Sequence, residues 1–341
     1  MADPVVSVVL EPHHCERFTK AAVESVLAQS LNDFELLLIG NEATGLGVEN
    51  YRGRPDPRIR VISGENRNHA AARNNGIREA RGRYIAFLDG SDAWMPRKLK
   101  RHVEHLDTHP DVGVSYSYAA FIDEKDRRLG HYRIGGASPT PLSVCATQNP
   151  IGGSSGVVIR SDVFNADHPN CAGGEVNNFF FDEELDHAES YELWVRIASQ
   201  TRWQLGCIPL PLTLSRIHAE GPSSDIRTRR GYHYLALVKI FDYAPEVIEK
   251  YRTTNVAYLY WRLARHALLE GEPRGALEFC RVAWRFNPST FSANSLLLVV
   301  SAMLQEVAPA GLNSTAERLA LRGLGKIQER SMKRQQRATA A

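Results

Sequence analysis

Three short runs near the start of the chain are apolar at nearly every position: Val5–Leu10 (VVSVVL), Phe34–Ile39 (FELLLI) and Tyr84–Leu88 (YIAFL). A strand with one wet face alternates, so unbroken runs of this length predict strands covered on both faces. Helix-like patterns lie between and after them. Thr19–Leu31 spaces Val23, Val26, Leu27 and Leu31 as one helical face, with Thr19 as the expected N-cap. Asn68–Ala80 and Pro96–Leu106 read as two more helices, and Arg58–Ile62 and Val112–Tyr118 as two more strands. The order β-α-β-β-α-β-α-β predicts an α/β fold with a mostly parallel, doubly wound, Rossmann-like sheet. Such sheets bind ligands beyond the carboxyl ends of their strands.

At one of those ends the chain reads Asp89-Gly90-Ser91-Asp92. Asp, Gly and Ser dominate surface turns, and that is the plain explanation. Yet two carboxylates crowded into one turn repel each other unless something positive joins them, so the sharper expectation is a metal or phosphate site. Between Gly130 and Gly156 the composition shifts to Gly, Ser, Pro and Thr, which predicts loops lining that site. Val157–Ile159 reads as a return to the sheet, and Glu189–Ser199 as a helix with Leu193, Trp194 and Ile197 toward the core. After Ser223 almost only helical patterns remain. Val256–Leu269 and Pro273–Phe286, separated by Glu-Gly-Glu, look like one tetratricopeptide-like hairpin, and a basic tail follows from Arg318. The expected division is 1–222 for the α/β domain and 223–341 for a C-terminal α-helical region.

Bulk properties exclude some classes. With 41 basic and 39 acidic residues the net charge is +2, which gives no reason to expect nucleic acid as a partner. Five widely spaced cysteines match neither a disulfide framework nor a zinc pattern. The N-terminus, MADPVVSVVL, lacks the basic region and long apolar run of a signal peptide. The apolar stretch Ser295–Leu304 is far shorter than the roughly 20 residues that cross a bilayer. The expected location is cytoplasmic. The helical C-terminus and its basic tail are candidates for peripheral contact with the inner face of the membrane or with a partner protein.

The segments VSVVL, VESVLAQSLNDFELLLI, AAARNNGIREARGRYIAFLDGSDAWMPRKL and FDEELDHAESYELWVRIA, in that order, resemble the nucleotide-sugar transferase domain of glycosyltransferase family 2. The resemblance covers about residues 5–222 and implies a GT-A fold. It also implies an inverting, metal-assisted transfer of a sugar from a nucleotide diphosphate sugar to a glycan or lipid-linked acceptor. The chemistry fits: a divalent cation such as Mn or Mg stabilises the leaving diphosphate, and a carboxylate base takes the proton of the attacking hydroxyl.

Carried over by position, the resemblance makes Asp89 and Asp92 the metal ligands, with Ser91 where the family usually has a third acidic residue. It assigns Pro12, Asn41, Arg73, Asp89 and Arg216 to the nucleotide sugar, and His218, in an Arg-x-His segment, to the diphosphate or the metal. Where the family usually reads Glu-Asp-Tyr, this chain has Glu189, Ser190 and Tyr191. Glu189 is therefore the expected catalytic base, from one residue upstream of the usual aspartate; the plain alternative is that Glu189 and Glu192, at neighbouring positions of one face, form a solvated N-terminal helix face. These altered positions leave a second reading open: a catalytically impaired relative that acts as a nucleotide-sugar-binding or protein-interaction module. No G-x-G-x-x-G follows the first strand, which argues against a dinucleotide enzyme.

Overall fold

A computed structural model of the protein describes residues 3–12, 16–40, 51, 56–64, 67–136, 138–171, 179–218, 226–269, 271–307, 328–329 and 332–333. The strands β1 (Val6–Glu11), β2 (Phe34–Ile39), β3 (Ile59–Ile62) and β4 (Tyr84–Asp89) form the parallel half of a nine-stranded sheet. Strand β5 (Ala93–Trp94) is short, β6 (Val112–Ile122) is long, and β7 (Arg128–Arg133), β8 (Val157–Arg160) and β9 (Gln204–Arg216) complete the sheet. The order is β3-β2-β1-β4-β8-β6-β9-β5, with β7 on β6. β8 runs antiparallel to both of its neighbours, whereas β6 and β9 are parallel. The sheet is thus parallel in one half and mixed in the other.

The helices explain why the early strands are apolar on both faces. On one side Val6, Val8 and Leu10 pack with Ala22, Val23 and Val26 of α1 (Glu16–Leu27) and Leu99 and Leu106 of α3 (Lys98–Thr108). On the other, Val9, Leu37 and Phe87 meet Ala70, Ala72 and Ile77 of α2 (His69–Glu79). Asn68 caps α2, its side chain accepting from the Ala71 N–H at 2.9 Å. Helix α1 starts at Glu16, so Thr19 is not its N-cap; it lies inside the first turn, buried.

The second core cluster continues through α4 (Leu142–Gln148) and α5 (Glu189–Gln200) into the helices that follow the sheet. These are α6 (Ile226–Tyr243), α7 (Pro245–Leu269), α8 (Pro273–Phe286) and α9 (Ala293–Val307). Cys145, Trp194, Leu237, Leu263 and Cys280 belong to one continuous apolar body. The expected helical hairpin is present as α7 and α8, but α7 begins at Pro245 and is 25 residues long. No helix of the described residues is long and apolar enough to cross a membrane.

Candidate active site

The chain crosses from one side of β1 to the other between β2 and β4, which opens a crevice at the carboxyl ends of β1 and β4. Register puts Glu11, the last residue of β1, directly beside Asp89, the last residue of β4. The turn after β4 brings in Asp92, whose N–H donates to the Asp89 carbonyl at 2.9 Å. Gly90 is required here: a Cβ would stand 2.7 Å from the Pro12 Cα. The site therefore begins with three carboxylates at adjoining strand ends.

Arg73 of α2 joins them. Its Nη1 donates to Glu189 Oε1 at 2.5 Å, and its Nη2 to Asp89 Oδ1 at 2.9 Å and Glu11 Oε1 at 3.3 Å. Arg73 is 4% exposed, yet the three carboxylates outweigh the cost of burial and push its pKa further above the ordinary range. His69, one turn earlier on the same helix, pairs with Glu11. Burial works against the charged imidazole, but Glu11 overcomes it and raises His69 to about 9. Asp89 is held low: burial opposes ionisation, and Arg73 and His69 more than offset it.

Asp92 has the opposite balance. Burial and then the charge of Asp89 raise it to about 6, while its Oδ1 accepts from the Arg216 N–H at 2.9 Å. A buried carboxylate raised by a like charge is what a hard cation between the two would relieve. The donor chemistry fits Mg or Mn, which commonly take one or two carboxylates and complete their shell with water and substrate phosphate. No group of three or more His, Cys, Asp or Glu able to hold a metal occurs among the described residues.

The cleft has a volume of about 400 Å³. Its floor is the small-residue run Gly152–Gly156, part of the loop expected to line a site; Ser154 Oγ donates to Asp89 Oδ1 at 3.2 Å. Gly152 adopts φ +73°, and a Cβ there would press 2.7 Å from Arg133 Nε. The cleft takes in Glu11, His69, Arg73, Asp89, Asp92 and Glu189, together with Arg216 and His218. It extends to Arg133 and to residues of α6 and α7, so the helical region forms one of its walls.

The Arg216 guanidinium is engaged with protein: Nε donates to the Ser91 carbonyl at 2.8 Å, Nη1 to the Asp123 carbonyl at 2.8 Å and Nη2 to Asp126 Oδ1 at 2.6 Å. It ties the Asp89–Asp92 turn to the turn before β7. Pro12 packs its backbone over Gly90 and is not among the cleft residues. His218 is buried, edge-on to Phe18 at 5.3 Å. Asn41 lies outside the described residues. Glu192 is not on a solvated face: it is 2% exposed, paired with Arg196 at 2.8 Å, and accepts from Tyr243 Oη at 2.9 Å. Glu189 is oriented toward Arg73 and Glu192 away from it, because one side of α5 faces the cleft and the other α6. Sequence reasoning gave Glu11 no charge-bearing role and missed Arg133. The available signal for Glu11 was that the first strand, like the fourth, ends in a carboxylate.

A mixed α/β sheet with its crevice at a strand-order switch is the GT-A fold, which this chain shares with solved glycosyltransferases. The UDP-GlcNAc complex of S. aureus TarS 1–349 superposes with TM-score 0.55 at 15% identity, covering 96% of this chain and 92% of that one. The mannosyltransferase PcManGT of Pyrobaculum calidifontis, solved with GDP-Man and Mn2+, does so with TM-score 0.55 at 14% identity, covering 96% and 87%. These likenesses show the fold. Residues 7–174 match the family model Glycosyl transferase family 2, so that stretch is a family 2 glycosyltransferase domain, as the sequence resemblance implied. Among curated relatives, the Escherichia coli UDP-Glc:alpha-D-GlcNAc-diphosphoundecaprenol beta-1,3-glucosyltransferase WfaP is 31% identical over 123 residues, 36% of this chain and 48% of that protein. Several of the curated relatives are spanned by this chain for no more than 65% of their length.

Proposed function

We propose that the protein is an inverting glycosyltransferase that moves a sugar from a nucleoside diphosphate donor to a hydroxyl of a glycan or lipid-linked acceptor, assisted by Mn or Mg. The observation that carries this reading is the meeting of Asp89, Asp92, Arg73 and Glu189 in one cleft at the strand-order switch. A solved neighbour of the same fold carries GDP-Man with Mn2+, and WfaP is named for a lipid-linked acceptor; both support the choice of donor and acceptor class.

In this proposal Asp89 and Asp92 would hold the cation, with His218 lining the same cleft. When bound, the cation supplies charge stabilisation for the departing diphosphate. Arg73 acts by fixing Asp89 and Glu189, since its terminal nitrogens are taken by carboxylates. Arg216 braces the turn that presents Asp92. Glu189 is the base. Its Oε1 is held by Arg73 and by Ser190 Oγ at 3.0 Å, whereas its Oε2 is buried with no hydrogen-bond partner and is free to take the acceptor proton. A localised carboxylate with one oxygen anchored keeps its orientation through the transfer.

Replacing Glu189 by Gln tests the assignment. Nucleotide affinity is expected to stay within about twofold of wild type, while release of nucleoside diphosphate falls by about a hundredfold or more, the usual range of a general-base contribution. Turnover that survives Glu189→Gln would remove Glu189 from the mechanism. A protein that binds the nucleotide sugar but never releases diphosphate under any acceptor would favour the binding-module reading, which Ser190 at the usual aspartate position supports.

A further inference from the structure

Across the cleft from the carboxylates stand three arginines that the proposed chemistry does not use. Arg133 ends β7, and Arg262 and Arg265 sit three apart on α7, so they project from neighbouring positions of one helix face. The guanidinium carbons of Arg133 and Arg265 each lie 5.4 Å from the Phe121 ring centroid, which places them together around one aromatic side chain. All three are partly buried. Among the described residues none of them has an ion pair with a carboxylate; Arg262 makes only a 3.5 Å contact from Nη1 to the Gln148 carbonyl.

Three guanidinium groups gathered without a directly paired carboxylate raise one another's energy. Burial lowers the pKa of each, and their mutual repulsion lowers Arg265 further, to about 10. The cost has a ready compensation. Planar guanidinium forks match the geometry of phosphate oxygens, and charge-assisted pairs are the strong ones. Only Arg133 of the three feels the charge of Asp89 and Asp92.

We propose that Arg133, Arg262 and Arg265 form a second anion site, which holds a phosphate or diphosphate group carried by the acceptor. This rests on the reading of the Asp89–Asp92 end as the donor site. It narrows the acceptor from any hydroxyl compound to a phosphorylated one, either a prenyl diphosphate-linked sugar or a phosphorylated polyol. Gly152 belongs to the site because its missing side chain lets Arg133 lie flat along the cleft floor. The helical region then has a catalytic-site duty: α7 carries two of the three phosphate contacts.

The test is calorimetry on the full chain, first alone and then saturated with Mn and whichever of uridine, guanosine or thymidine diphosphate it binds. The two probes are geranyl diphosphate and glycerol 3-phosphate, and the tighter one names the acceptor chemistry. At least one is expected to bind with the nucleotide already in place. Arg262→Gln and Arg265→Gln should each weaken that probe about tenfold or more, with nucleotide affinity held within about twofold as the control for folding. Arg265→Lys, which keeps the charge and loses the fork, should fall between. Failure of both probes to bind the wild type overturns the proposal. So does one-for-one displacement of the nucleotide by the probe, or equal binding by Arg262→Gln and Arg265→Gln. Probe binding without any nucleotide binding would uphold the anion site and remove the donor reading instead.

Discussion

Arg73 satisfies three carboxylates with one guanidinium at the bottom of a cleft, and removing it exposes how strongly the site depends on that balance. Arg73→Met strands the buried Glu189 and leaves Glu11 and Asp89 with His69 as their remaining cation. A loss of about 3–5 kcal/mol in urea unfolding is expected, the usual consequence of breaking a buried pair from one side. Titration provides a second check at this scale. His69 is raised from 6.5 to about 9 in the folded chain, so its contribution to stability is full below 6.5 and is lost as pH rises through 9. The urea midpoint should fall over that window, and His69→Gln should flatten the fall. Asp92 is also raised, from 3.8 to about 6, so the native chain without a cation loses stability as pH rises between those values. Mn must displace that proton, and its affinity should drop as pH is lowered from 7 to 5. Asp89 and Asp92 were legible in the sequence because a strand signal ended on them. Glu11 and His69 were not, since their importance comes from the β1–β4 register and from a helix turn crossing above it.

The parts of the sheet buried on both faces were readable as elements: β1, β2 and β4 are nearly continuous apolar runs that tertiary packing had no need to override. Strand β9 was missed, although it is 13 residues long, because Pro209 and Pro211 interrupt its pattern. Its pairing with β6 shifts register beside Tyr118, opposite Pro211, which is how the ladder accommodates the proline. Strand β7, RLGHYR, hides behind polar residues at the side of the sheet, and with it Arg133. Helix α5 shows how little periodicity says about partners. Glu192 looked solvated, but α6 covers that side, and Glu192 bridges Arg196 and Tyr243. Glu192→Ala should cost about 3–5 kcal/mol by stranding Arg196, while nucleotide binding at the other side of α5 is retained. Thermal melts with and without nucleotide separate the two effects.

At the scale of the whole molecule, the helices after the sheet share one apolar body with it, from Val9 through Trp194 to Leu263 and Cys280. Composition marked the change of character near residue 223 but carried no sign that the second part would line the first part's cleft. A chain ended at residue 225 would uncover Tyr191 and the Ala146 carbonyl, which His233 and Asn255 cover; we expect it to aggregate or to melt well below the full protein in a solubility and melting comparison. The central claim is that Asp89 and Asp92 make a cation-dependent nucleotide site. Calorimetry of uridine, guanosine and thymidine diphosphates with and without Mn tests it most directly, on wild type and Asp92→Asn. One diphosphate should bind with Mn at least about tenfold more tightly than without it, and Asp92→Asn should erase that difference. Binding that is indifferent to Mn, or that Asp92→Asn leaves equally Mn-dependent, would contradict the account.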